Sequence, residues 1–159
     1  MTVPAEGEME QLAVRLARPE EAAAIAALVQ RAYVKYVERM GQQPAPMLAD
    51  YAALIARGVV YVLPGTDRLR GVLVMWPEGD HLFLENVAVH PDDQGTGLGR
   101  LLMQCVELYA RELGVESVEL YTNEAMTENL AFYSRLGFVE VARRTDAGYR
   151  RVFMRKALD

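Results

Sequence analysis

The chain has 159 residues, 52% of them apolar and 25% charged, and a net charge of −5. That length suits one domain with a real core, and the acidic balance argues against a nucleic-acid partner, which would call for a basic face. A single cysteine, Cys105, excludes an internal disulfide and a cysteine-based zinc site, and with His81 and His90 as the only histidines no metal site is expected.

Residues 1–10 (MTVPAEGEME) are acidic and lack the apolar stretch of a signal peptide. They are expected to form a flexible tail ahead of one domain over residues 11–159. No apolar run is long enough to span a membrane, so a cytoplasmic protein without a membrane partner is expected. Residues 11–17 alternate as a strand. Residues 18–41 open with Pro19 and acidic residues and stop at Gly41, which predicts a helix. The segment QQPAPM (42–47) breaks it, and 48–58 predicts a shorter helix closed by Gly58.

Three strand-like runs follow, 59–64, 71–76 and 81–89, and the short turns between them predict an antiparallel meander. From 98 to 114 apolar residues recur at 98, 101, 102, 105, 108, 109 and 113, a helix with one buried face that includes Cys105. Residues 115–122 predict a strand, 127–137 a helix capped by Thr127, and 138–144 with 149–158 a hairpin around TDAG. The sum is an α/β fold. Its mixed, mostly antiparallel sheet has about six to seven strands, with helices on both faces, and turns parallel around residue 89.

The most informative stretch is HPDDQGTGLGR (90–100), which sets Gly95, Gly97 and Gly99 between an apolar strand and a helix. Free N–H groups and the positive end of the helix dipole favour an anion there, typically phosphate. A P-loop would need lysine and a hydroxyl residue after its last glycine, but Arg100 and Leu101 follow Gly99. A dinucleotide fingerprint would need its third glycine one residue later, although Glu119 lies where a ribose-binding acid could sit. The segment HPDDQ between strand and first glycine, and the meander before it, weigh against that second solution.

The third solution fits best. Gln94-Gly95-Thr96-Gly97-Leu98-Gly99 resembles the Q/R-x-x-G-x-G/A signature of the GCN5-related N-acetyltransferase (GNAT) superfamily, and LENVAVHPDDQGTGLGRLLM resembles that family's central motif almost throughout. LYTNEAMTENLAFYSRLGF is similar to its second acetyl-CoA motif, with the N-x-x-A-x-x-x-Y-x-x-x-G-F ending. The order of elements along the whole chain is also that of the family. The resemblance implies a GNAT-like acyl-CoA N-acyltransferase fold that uses acetyl-CoA and releases CoA. It implies a pyrophosphate on the amides of Gln94, Gly95, Thr96, Gly97, Leu98, Gly99 and Arg100. A pantetheine arm would lie along Val87, Ala88 and Val89, the Val87 N–H would meet the thioester carbonyl, and Asn129 would contact the coenzyme. The Arg100 side chain either reaches a phosphate or stays a solvated helix residue.

Acyl transfer to an amine needs a neutral amine, a polarised carbonyl and a proton for the departing thiolate. Tyr133 lies four residues after Asn129 on the same helix face, and the resemblance makes it the acid; the plainer alternative is a core aromatic like Phe132. Glu85 interrupts an apolar strand, where burial should raise its pKa. It is a candidate base, acting directly or through water, or else a structural ion pair with a C-terminal arginine. Glu119 and Asp50 are poorer candidates, His81 and His90 are expected at the surface or as caps, and Cys105 in the core. The resemblance implies direct transfer with no covalent enzyme intermediate.

For the acceptor, Tyr33, Tyr36 and Arg39 share a helix face, followed by a proline-stiffened loop and Asp50-Tyr51. This resembles a bacterial subgroup with the pattern Tyr-x-x-Tyr-x-x-Arg-x-Gly-x-x-Pro-x-Pro-Met. An aromatic wall with a carboxylate would take a cationic amine, Arg39 could instead hold a substrate carboxylate, and the segment could simply pack on the sheet. The expected function is an N-acetyltransferase acting on a primary amine of a small molecule or peptide. A non-catalytic acyl-CoA sensor and a nicotinamide-dependent oxidoreductase are the alternatives. A homodimer through exposed C-terminal strands is compatible with the sequence.

Overall fold

The computed structural model describes residues 13–159. The expected tail over 1–10 and the start of the strand expected at 11–17 lie outside the described residues; the described part of that strand, β1, is Arg15–Leu16. Seven strands form one sheet in the order β1-β2-β3-β4-β5-β7-β6, with β2 Val60–Pro64, β3 Leu69–Glu78, β4 His81–Val89, β5 Ser117–Asn123, β6 Val139–Asp146 and β7 Tyr149–Ala157. All neighbours run antiparallel except β4 and β5. The helices are α1 Ala22–Tyr33, α2 Lys35–Met40, α3 Tyr51–Ala56, α4 Leu98–Leu113 and α5 Thr127–Arg135. Among the described residues no helix is long and apolar enough to cross a membrane.

Two apolar layers cover the sheet. On one face α4 lays Leu102, Met103, Cys105 and Val106 on Leu73, Met75, Leu82, Leu84 and Leu120, and Tyr133 and Phe138 complete that cluster. On the other face α1, α2 and α3 bury Ile25, Val29, Tyr36 and Ile55 against Val60, Val62, Val72, Val74 and Ala88. Helices on both faces follow from the alternation along β2–β4, whose successive side chains point to opposite sides.

Three local expectations are corrected. The helix expected over 18–41 is a short 3-10 turn at Pro19–Glu21, then α1 and α2 separated at Val34. There the i→i−4 ladder gives way to a tighter bond from the Val37 N–H to the Val34 carbonyl (3.1 Å). The helix expected at 48–58 begins only at Tyr51, because Asp50 caps it by accepting the Ala53 N–H (3.1 Å) while Ala45–Leu48 forms a separate 3-10 turn set by its prolines. Thr127 does not cap α5. It is the first helical residue, and its hydroxyl donates to Glu128 instead (3.1 Å).

One irregularity positions everything that follows. In the β3–β4 ladder Met75 faces Leu84 and Val74 faces Asn86, so Glu85 is an extra residue, a β-bulge. Before it, Leu82 and Leu84 face α4; after it, Val87 and Val89 take that side while Asn86 and Ala88 turn toward α1.

Candidate active site

β4 leads into the glycine loop through a 3-10 turn at Pro91–Asp93, where His90 Nδ1 accepts the Asp92 N–H (3.1 Å). His90 is thus a cap, but a buried one and not a surface residue, with Nε2 facing Arg31 of α1 at 3.4 Å. Gly95 and Gly97 sit at φ +80 and +87, the left-handed region that strains any side chain. Gly99 is different: its φ is not positive, and a Cβ there would make only an ordinary contact with the Phe132 ring of α5, at 3.5 Å.

The loop is pinned from outside. Gln94 donates to the Val89 carbonyl (3.1 Å), Thr96 to the Asp93 carbonyl (2.5 Å), and Arg68 pairs with Asp93 (2.7 Å), holding its carboxyl below the usual range. The first-turn N–H groups of α4 point outward with no intrahelical acceptor of their own, which is the geometry of an anion site. The Arg100 side chain is exposed on α4.

Beyond the loop the sheet opens. β4 and β5 pair only from His81↔Ser117 to Leu84↔Leu120; then β4 continues along β3 and β5 along β7. The β5-side backbone edge of residues 85–89 therefore has no strand neighbour among the described residues. A cavity of about 250 Å³ lies on the loop side of this gap, lined by Tyr36, Ala88, Val89, Gln94, Gly99 and Phe132 among others. A smaller one of about 50 Å³ lies on the other side, with Met40, Pro46, Glu85, Asn86, Tyr121 and Arg151 in its wall. Tyr33, Val87, Asn129 and Tyr133 line both.

The Acetyltransferase (GNAT) family matches residues 23–138, which include the glycine loop, the opened strand and α5. The chain belongs to that family. It is an acetyltransferase, and acetyl-CoA is the acetyl donor of such enzymes. No curated protein matches the chain. Among solved structures it is similar to the PaiA N-acetyltransferase of Thermoplasma acidophilum in complex with coenzyme A. That pair shares 14% identity, covering 91% of this chain and 98% of the other, with a TM-score of 0.77. A GCN5-related N-acetyltransferase of Rhodopseudomonas palustris gives 23% identity, 99% and 98% coverage and a TM-score of 0.75. The ribosomal-protein-S18-alanine N-acetyltransferase of Escherichia coli gives 21%, 91% and 92% coverage, and 0.71. These likenesses establish the fold, with its open seven-stranded sheet and helices on both faces.

Within this acetyltransferase the tyrosines divide by what their hydroxyls do. Tyr33 donates to Asn86 Oδ1 (2.8 Å), Tyr51 to the Pro46 carbonyl (2.6 Å), Tyr121 to Glu85 (2.7 Å) and Tyr149 to the Gln43 carbonyl (2.8 Å). The Tyr133 hydroxyl has no hydrogen-bond partner among the described residues, although its ring is buried between Phe132 and Phe138. Burial holds that phenol well above its ordinary pKa, so it is protonated at neutral pH.

Glu85 stands at the bulge, part-buried. Burial raises its carboxyl above the usual range, opposed by the Tyr121 hydrogen bond and by the Arg151 charge. It is not ion-paired with a C-terminal arginine; Arg151 bridges to Asp146 instead (2.7 Å). Asn86, which the sequence analysis did not single out, accepts from Tyr33 and donates to Tyr51 (3.2 Å) beneath the site.

The residues expected at the acceptor site scatter. Tyr33 reaches both cavities, but Tyr36 lines the loop side, and Arg39 is held by Glu128 and the Ala125 carbonyl (3.0 Å). Asp50 caps α3 along a third cavity that touches Glu85 and Asn86. Cys105 is buried in the α4 core, where its thiol is pushed up to about 11 and is no nucleophile. Family membership decides against the dinucleotide solution for the glycine loop.

Proposed function

We propose that the enzyme acetylates a primary amine of a small molecule by direct transfer, across the gap between β4 and β5. The observation that carries this is the set Tyr33, Val87, Asn129 and Tyr133, which walls both cavities where they meet. The larger cavity runs to the glycine loop and suits the pantetheine arm along Val87–Val89, with the pyrophosphate on the amides of 94–100. The smaller one admits the amine beside Glu85.

Acetyl-CoA supplies a thioester carbonyl carbon already open to attack. Each remaining step belongs to the protein. The Val87 N–H, on the unpaired edge of β4, takes the carbonyl oxygen as it gains charge. Glu85, directly or through a water, takes the proton that the amine loses as its nitrogen bonds to the carbonyl carbon. Tyr133 gives its proton to the sulfur as the C–S bond breaks, and Asn129, one turn before it on α5, orients the coenzyme.

Thiol release from acetyl-CoA over a panel of amines tests this, with thermal shift as the binding readout. A ligand at about a hundred times its dissociation constant stabilises a fold by about 2.7 kcal/mol. Stabilisation by acetyl-CoA and CoA, and thiol release that depends on an added amine, are expected. Binding with no amine-dependent release would leave a sensor and overturn the proposal.

A further inference from the structure

From the two charged side chains in the acceptor-side wall we infer that the acceptor carries a carboxylate close to its amino group, as a free amino acid does, and that Arg151 binds that carboxylate. The inference rests on the acetyl-transfer reading above and deepens it.

The polar groups lining that cavity are mostly engaged within the protein. Asn86 holds Tyr33 and Tyr51, Thr122 donates to Met126 Sδ (3.6 Å), Asn123 accepts the Ala125 N–H (2.9 Å), and Tyr149 donates to the Gln43 carbonyl. The charged groups of the wall are Glu85 and Arg151. Both are built on Tyr121. Its hydroxyl donates to Glu85, and the Arg151 guanidinium stacks over its ring with the central carbon 4.1 Å from the centroid.

The acid and the cation are thereby held about one tyrosine ring apart on the same floor. Arg151 is only 12% exposed, and among the described residues only Asp146 pairs with it, through Nη1. A guanidinium offers five N–H groups in a fixed fork that matches a carboxylate. Those of Nε and Nη2 remain for a ligand.

A simple monoamine would meet Glu85 and leave those donors of a mostly buried guanidinium without an anion, which is costly. An amino carboxylate meets both ends at once. The amino group lies toward Glu85 and the gap, the carboxylate toward Arg151. β7 puts Arg151 opposite Asn123 at the end of β5, so a carboxylate there stays clear of the gap through which the acetyl group must come. Arg39, the residue that sequence alone offered for this role, is exposed and already bridged to Glu128.

Matched pairs test the inference: each protein amino acid beside the amine left when its carboxylate is removed, with kcat/KM read by thiol release. At least one pair should be acetylated with the carboxylated member favoured by about tenfold or more, the range expected for a charged hydrogen-bonded pair. Arg151→Gln should close that gap through KM, and Arg151→Lys should restore part of it; a melt of each variant reports whether it folds. The inference is overturned if the decarboxylated member is equally good, or if Arg151→Gln leaves the preference intact while folded. It also falls if acetyl-CoA binds and no amino acid is acetylated, although transfer to another amine would then stand. Absence of acetyl-CoA binding would remove the underlying proposal with it.

Discussion

The hydroxyl of Tyr121 donates to the Glu85 carboxylate at 2.7 Å, one residue past the last β4–β5 pair at Leu84↔Leu120. Two opposing effects thus meet on one acid: burial favours its protonated form, and the phenol favours its charged form.

If Glu85 is the base, kcat/KM falls as pH drops through its raised pKa. Tyr121→Phe removes the bond that favours the charged form, so the acid limb of the pH profile should move to higher pH. Glu85→Gln should lower kcat by about 10²-fold or more and flatten that limb. An acid limb that stays in place in both variants would assign the base elsewhere.

The same shift has a signature in stability. A carboxyl whose pKa is raised on folding holds its proton more tightly in the folded state. Its stabilising effect is therefore complete below the unfolded value, and it is lost as pH rises through the folded one. Relative to the parent, Glu85→Gln should gain stability between weakly acidic and neutral pH. Denaturant unfolding across that range reads the difference directly.

Tyr133→Phe keeps the ring that packs on Phe132 and Phe138 and removes only the hydroxyl. Turnover should fall by about 10²-fold or more, with acetyl-CoA affinity retained. Thiol release and thermal shift on the same preparation separate the two effects.

Gly97→Ala and Gly99→Ala should behave oppositely. Position 97 has open space but φ +87, so alanine there costs backbone strain, about 1 kcal/mol or more, and weakens acetyl-CoA binding. Position 99 lies inside α4 without that strain, and its Cβ would make an ordinary contact with Phe132, so alanine should hold or raise the melting temperature.

Asn86→Ala should cost about 1–2 kcal/mol in urea unfolding, because it removes two buried hydrogen bonds while leaving the Tyr33 hydroxyl the Val87 carbonyl (3.2 Å) and the Tyr51 hydroxyl the Pro46 carbonyl. Acetyl-CoA should also bind less tightly, since Tyr33 walls both cavities.

Much of this was legible in the sequence for a physical reason. The α4 stripe is a local periodicity that reports which face is buried, and the continuous apolar runs of β2 and β3 report strands covered on both faces. The glycine loop was legible because two of its three glycines take a backbone conformation that other residues rarely adopt. Arg151 was not, since it stands in YRRVFMRKAL among several arginines, and only the pairing of β7 with β5 shows which of them stacks on Tyr121. Asn86 carries a local signal of its own. In HLFLENVAV the residues turned toward α4 are the even Leu82 and Leu84 and then the odd Val87 and Val89. That change of phase marks a bulge, and it places two consecutive polar residues on one side.

The bulge makes one residue of the strand removable without a change of register. Removing Glu85 would join Leu84 to Asn86, keep Met75↔Leu84 and Val74↔Asn86 as successive pairs, and leave every later side chain of β4 on the face it has now. The glycine loop would emerge from the sheet as before; what would go is the carboxylate at the gap and the local bend that the extra residue imposes. A single residue added or removed between Asn86 and Val89 would instead carry all that follows it to the opposite face, turning the edge that leads into the loop inside out.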